Sequence, residues 1–233
     1  MNLKELIDLK LYNDYSNMTV KKDNYYIIDT KTNNLLIYDK KGNIKDTTSL
    51  SEKYKLLTYN ELEDVFYMHD GSASRKHFVL NSDFEEIRTF TEKGIPFKNR
   101  NIKDIFFDKY NLKYLILNDK RAYSVDTDGN YIQSEINVSD FYNIVHNSNN
   151  GCCCSNKGVE EAISNFKFTA IGSDGTYKYV AYVKNNSTYI AKVSPSGNLI
   201  EKMYIADNIE INSIFPNNNY LYAIGNDGHD NYV

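Results

Sequence analysis

The sequence predicts an all-β chain of repeated four-strand units, a small β-propeller of about five blades. Three observations lead there. A polar-turn hairpin recurs four times along the chain; a short, almost wholly apolar run precedes each hairpin; and the hairpins fall at a near-constant interval once a single stretch is set aside.

The hairpins are residues 35–44 (LLIYDKKGNI), 77–87 (HFVLNSDFEEI), 122–132 (AYSVDTDGNYI) and 189–199 (YIAKVSPSGNL). In each, an apolar strand runs into Asp39, Asn81, Asp126 or Ser194, side chains that open turns by bonding their own backbone. Three of the four then contain Gly-Asn, and glycine takes the positive φ that a tight hairpin demands. The preceding runs are 25–28 (YYII), 65–68 (VFYM), 114–117 (YLIL) and 179–183 (YVAYV), with 220–224 (YLYAI) as a fifth. They are too short for buried helices and rich in β formers, so they read as strands covered on both faces.

The turn openers are 42, 45 and 68 residues apart. The last interval is too long by the length of residues 143–165, which hold Cys152, Cys153 and Cys154 and interrupt the strand pattern. That stretch is therefore expected to be an insertion within one domain spanning 1–233. The third unit resolves into strands at 102–108, 112–118, 121–125 and 131–136. The fifth unit (210–215 and 220–224) supplies at most a stub of a third strand before Val233. Residues 8–12 (DLKLY) alternate polar and apolar outside the first unit, and are expected to pair with the last unit and close the ring. Leu3, Leu6 and Ile7, and Val159, Ala162 and Ile163 in the insertion, have helical spacing and are expected to cap an end of the barrel.

These hairpins resemble those of bacterial β-propeller repeat families, NHL-like and related. The resemblance implies the fold and carries no activity. It departs from the kelch and WD40 types, since the chain has no Trp-Asp dipeptide, no paired glycines and no Trp.

Composition narrows the partners. Net charge is −4, and the four arginines (Arg75, Arg88, Arg100, Arg121) are scattered, so no basic stripe is available to neutralise phosphates and nucleic acid is not expected as a partner. No secretory h-region opens the chain and no apolar run approaches the ~20 residues of a membrane span. The expected location is cytoplasmic, or a virion or particle assembled in the cytoplasm. Three cysteines in one block are not the spread of a disulfide framework, which fits a reducing compartment. The abundance of Asn, Lys, Ile and Tyr also suits an AT-rich genome, a low-GC bacterium or its phage.

No catalytic, cofactor or metal site is assigned. The cysteine block, with His146 upstream, lacks a second ligand pair and reads as loop packing. Residues 126–130 (DTDGN) resemble part of a calcium loop without its distal acid, and read as a hairpin turn. Residues 171–177 (IGSDGTY) resemble the Asp-box of sialidase propellers with the wrong spacing and without an arginine cluster. His69, His77, His146 and His229 fall in no ligand or triad pattern and are expected at surfaces or turns. Tyr110, Tyr142 and Tyr232 lie near loops, where an aromatic side chain can meet a ligand. The functional expectation is a non-enzymatic binding or structural module acting through protein contacts, with a phage or phage-like tail particle as its specific version. A carbohydrate-binding or carbohydrate-cleaving propeller is the alternative.

Overall fold

The computed structural model describes residues 15–51, 54–98, 100–147, 166–217, 220–226 and 231–232. They form five antiparallel sheets in chain order, each a simple up-and-down meander. Blade 1 comprises β1 (Tyr15–Lys21), β2 (Asn24–Asp29), β3 (Asn34–Asp39) and β4 (Ile44–Ser49). Blade 2 comprises β5 (Leu56–Asn60), β6 (Val65–His69), β7 (Lys76–Leu80) and β8 (Glu86–Thr91). Blade 3 comprises β9 (Ile102–Asp108), β10 (Lys113–Asn118), β11 (Arg121–Val125) and β12 (Tyr131–Asn137), and helix α1 (Val138–Asn147) follows it. Blade 4 comprises β13 (Phe166–Ser173), β14 (Lys178–Lys184), β15 (Ser187–Val193) and β16 (Leu199–Asp207). The fifth sheet has β17 (Glu210–Asn217), β18 (Tyr220–Asn226) and the two-residue β19 (Asn231–Tyr232). The chain is a small β-propeller.

A sheet stacked between two others is buried on both faces, so its strands need no alternation. The apolar runs of the sequence are the second strands of the blades: β6 is buried throughout and β2 nearly so, whereas the outer strand β4 is almost wholly exposed. Five apolar clusters fill the five gaps between neighbouring blades. Phe66, Met68 and Leu80 meet Tyr26, Ile28 and Leu35 between blades 2 and 1. Tyr67 and Phe90 meet Ile105 and Tyr114 between blades 2 and 3, and Leu115 and Leu117 meet Phe168 and Tyr182 between blades 3 and 4. Ala170, Ala181 and Ile190 meet Ile211 and Ile214 between blades 4 and 5. The last gap is filled by Met18, Ile27 and Tyr38 of blade 1 against Ile224 of blade 5.

That fifth cluster closes the ring, and a buried hydrogen bond from Ser213 Oγ to the Met18 carbonyl (3.0 Å) reinforces it. Closure therefore uses β1, the first strand of blade 1. Residues 8–12, expected to provide it, lie outside the described residues, as do Leu3, Leu6, Ile7 and the cysteine block. β12 passes directly into α1, whose Phe141 is buried edge-on against Phe166, Phe168 and Tyr182, and residues 148–165 of the stretch expected as an insertion lie outside the described residues. The helical piece expected around Val159, Ala162 and Ile163 also lies outside the described residues.

The four hairpins share one hydrogen-bond plan. The Asp39 carboxylate accepts the N–H groups of Lys41 and Asn43, and Asp126 accepts those of Asp128 and Asn130. Asn81 does the same for Asp83 and Glu85, and the Ser194 hydroxyl accepts from Asn198 N–H. The residue three beyond each opener takes positive φ: Gly42, Gly129 and Gly197, but Phe84 in blade 2. There the left-handed backbone of a bulky residue is offset by tilted ring contacts of Phe84 with Phe66 and Tyr26. The second strand of blade 3 starts at Lys113 rather than 112 because Leu112 sits in the turn at φ 52°.

Two histidines are corrected from surface to core. His69 and His77 are buried, with ring centroids 4.7 Å apart. His69 Nδ1 accepts the Gly71 N–H at 2.9 Å, closing a turn after the second strand just as Asp29 does in blade 1 and Asn118 in blade 3. An imidazole in an Asx-type capping position points inward, which a turn assignment from sequence does not reveal. His77 bonds Glu92 at 2.7 Å, and the Tyr123 hydroxyl donates to the other Glu92 oxygen at 2.8 Å. The side chains of His146 and His229 are outside the described residues.

Candidate functional site

Every blade begins with a strand lining the axis, and the inner edge of that strand faces no fifth strand. Its N–H groups need partners, and polar side chains of neighbouring blades supply them. Leu57 N–H donates to Asn17 Oδ1 (2.9 Å), Phe107 N–H to Thr58 Oγ1 (2.9 Å) and Ile171 N–H to Asp104 Oδ2 (2.8 Å). Asn17 Nδ2 in turn donates to Asp104 Oδ1 at 2.8 Å, tying blade 1 to blade 3. Complete burial pushes the Asp104 carboxyl up to about 8, against the lowering pull of its three N–H donors. These bonds tie blades 1 to 4 together along the axis and commit both oxygens of the Asp104 carboxyl group.

Above this network the ring opens into a cavity of about 640 Å³. First strands of all blades run the same way, so the turns between first and second strands gather at one end, and these turns form the cavity's wall. Val20 and Lys22 come from blade 1, Tyr59 and Glu61 from blade 2, Lys109 and Tyr110 from blade 3, Asp174, Tyr177 and Tyr179 from blade 4, and Tyr220 from blade 5. Phe106, Phe107 and Phe215 contribute apolar surface. All five blades contribute.

The wall is held in place by its own bonds. The Tyr59 hydroxyl donates to Asp64 at 2.6 Å and the Tyr179 hydroxyl to Asp174 at 2.8 Å; burial and these adjacent carboxylates raise both phenols. Asp174 also accepts the N–H groups of Thr176 and Tyr177, and these bonds outweigh its partial burial and hold it below the usual carboxylate range. Lys109 pairs with Glu61 at 2.9 Å, and the carboxylate keeps that ammonium above its ordinary value despite partial burial. The Lys192 ammonium lies 4.1 Å from the centroid of Tyr177 and 5.6 Å from that of Tyr179. Tyr110, 65% exposed, is seated against Gly175, where a Cβ would lie 2.5 Å from its ring and φ is +88°. Only glycine permits that approach.

Of the residues marked in the sequence, Tyr110 and the 171–177 segment meet here: Ser173, Asp174, Thr176 and Tyr177 line the cavity, and Ser173 Oγ bonds Asp108 at 2.8 Å. Tyr142 instead packs half-buried on the blade 3–4 core. Residues 126–130 form an outer hairpin whose Asp126 carboxylate is taken up by the turn. The Tyr232 side chain and the cysteines lie outside the described residues. Sequence reasoning passed over Tyr59, Lys109 and Lys192; for the first two the available signal was their place at the ends of first strands, which propeller topology brings together, while Lys192 reaches the cavity from β15. Among the described residues no group of three or more His, Cys, Asp or Glu could hold a metal ion, and no helix is long and apolar enough to cross a membrane.

Solved structures share the fold. The chain is similar to Myxococcus xanthus glutaminyl cyclase (TM-score 0.60, 8% identity, covering 95% of this chain and 89% of that one). It is similar to a chain of a nidogen/laminin complex (0.55, 9%, covering 92% and 76%) and of Kuenenia stuttgartiensis hydrazine synthase (0.51, 11%, covering 94%). The chain spans 56% of that hydrazine synthase chain. No protein-family model and no curated protein sequence matches it.

Proposed function

We propose that the chain is a non-catalytic binding module that meets a protein partner with its turn-bearing end and outer rim. One observation carries this reading: large apolar side chains are left exposed there in a repeated pattern. Leu62, Tyr110, Leu112 and Tyr220 stand in or beside the turns around the cavity, and Ile87, Ile132 and Ile200 occupy one equivalent position in three outer hairpins. Each side chain is close to half exposed or more. Single exposed leucines need no explanation, but recurrence at matched positions of a ring favours contact with another surface.

A binding role is also supported by the state of the cavity's carboxylates: Glu61 is paired with Lys109, and Asp174 is committed to three donors. The narrower version, a component of a phage or phage-like tail particle assembled in the cytoplasm, rests on composition, and kinship with NHL-like repeats rests on the hairpins. Affinity capture from the native source tests the main reading. A partner retained by the wild type and lost by the Leu62→Ser/Leu112→Ser double variant is the expected result. Retention of the same partner by the folded double variant would contradict it, and co-sedimentation with nothing larger than the chain itself would remove the particle version.

A further inference from the structure

We infer that the cavity at the mouth of the ring is a saccharide site, occupied by a short stretch of oligosaccharide. This inference concerns the cavity, whose mouth shares Tyr110 and Tyr220 with the apolar rim assigned above to a protein partner.

The volume, about 640 Å³, falls inside the range of about 300–1,000 Å³ that small-ligand pockets occupy. Its lining combines two properties that sugars need: aromatic surface for the C–H faces of a pyranose, and closely spaced hydroxyl, ammonium and carboxylate groups for its hydroxyls. Five tyrosines from four blades (Tyr59, Tyr110, Tyr177, Tyr179, Tyr220) supply the first. Thr176 and Lys192, on the same side of the ring as Tyr177 and Tyr179, supply the second, together with the Lys109–Glu61 pair.

Charge argues against the other small ligands. A phosphate or nucleotide site concentrates cations, but of the three lysines lining the cavity Lys109 is matched by Glu61, Lys192 lies over tyrosine rings with Asp174 close by, and Lys22 stands exposed at a turn of blade 1. A greasy ligand would need an apolar wall, and this wall is polar above its phenylalanines. A polar, uncharged, ring-shaped ligand is what remains complementary to it. The wall is also fixed in advance, with Tyr59, Tyr179 and Tyr110 held by Asp64, Asp174 and Gly175, so little side-chain ordering opposes binding.

The test uses the purified full chain on a glycan array carrying neutral hexose, N-acetylhexosamine and uronic acid oligomers, with titration calorimetry on any oligomer retained. The expected result is retention of at least one neutral class, with affinity reduced at least about tenfold by Tyr177→Ala, as loss of one stacking platform implies, and unchanged by the rim variant Ile132→Ser. Circular dichroism of each variant establishes that it is folded, and Tyr177→Phe, which keeps the ring, should retain most of the affinity. Retention of uronic acid oligomers alone, no retention of any oligomer, or undiminished binding by Tyr177→Ala would overturn the inference. So would a partner peptide cross-linked from within the cavity, which would assign it to the protein interface instead.

Discussion

Blades 3 and 4, with helix α1, meet across fourteen buried apolar side chains among the described residues, and blades 5 and 1 across seven. The first interface carries Phe141, Phe166, Phe168 and Tyr182 in mutual edge-on and stacked contact, with Glu135 buried between Lys113 and Lys178 from the two blades. The second relies on Met18, Ile27 and Ile224, on a Tyr25–Tyr222 ring contact at 5.7 Å, and on bonds such as Ser213 to Met18. The two also differ in how far apart their partners lie in sequence, 195 residues in the case of Ser213 and Met18. Closing so long a loop costs chain entropy that a neighbouring pair of blades is spared. The difference teaches that a ring of similar blades is not uniformly strong: its seam, smaller and less local, is where it should open first.

Substitutions at the two interfaces should therefore differ in size. Phe168→Ala, at the larger one, is expected to cost about 3–5 kcal/mol in urea unfolding, through lost burial and an aromatic void. Asp104→Ala, which strips the axis of a shared acceptor and removes the partner of Ile171 N–H and of one Asn17 amide N–H, should cost about 3 kcal/mol. The blade 2–3 interface adds a pH dependence between about pH 7 and pH 5, above the range in which Glu135 of the blade 3–4 interface, against its burial pulled down to about 2 by Lys113 and Lys178, takes up a proton. Burial first, and the neighbouring His77 second, lower His69 to about 4, so it is neutral in the fold while the unfolded chain takes up a proton below its ordinary value of 6.5. Its contribution is complete above that ordinary value and is lost as pH falls towards 4. Between about pH 7 and pH 5 the wild type should lose about 2 kcal/mol relative to His69→Asn, which keeps a turn-capping acceptor without titrating. Asp104 works in the opposite sense, stabilising fully at acid pH and less as pH rises through 8, but it is common to both proteins and cancels in the difference. The smallest effect belongs to the seam: Ser213→Ala should cost about 1 kcal/mol, the worth of one hydrogen bond. If it costs as much as Phe168→Ala, the ranking of interfaces is wrong.

Much of this ring was readable in the residues, and the reason is repetition. Asp39, Asn81, Asp126 and Ser194 announce the hairpins because turn chemistry is local, and the runs at 25–28 or 114–117 announce inner strands because burial on both faces leaves no polar alternation. The axis was not readable. Asn17, Thr58 and Asp104 are lone polar residues in otherwise apolar strands, and what they bond belongs to another blade. The cavity was half readable: Tyr110 drew notice as a loop aromatic, but Tyr59 and Tyr177 become its companions only when five turns are brought to one end. His69 was misplaced because a turn residue is ordinarily outside, and here the capping atom belongs to a ring turned into the core.

Closure of five blades within a single chain is the claim on which the seam, the axis and the cavity all depend, and hydrogen exchange tests it directly. Ile224→Ala, made in blade 5, should speed amide exchange in β1 and β2 of blade 1 as well as in β17 and β18, because the two blades share one buried cluster. Faster exchange confined to β17 and β18, with blade 1 protected as in the wild type, would mean that the fifth sheet is the free end of an open arc.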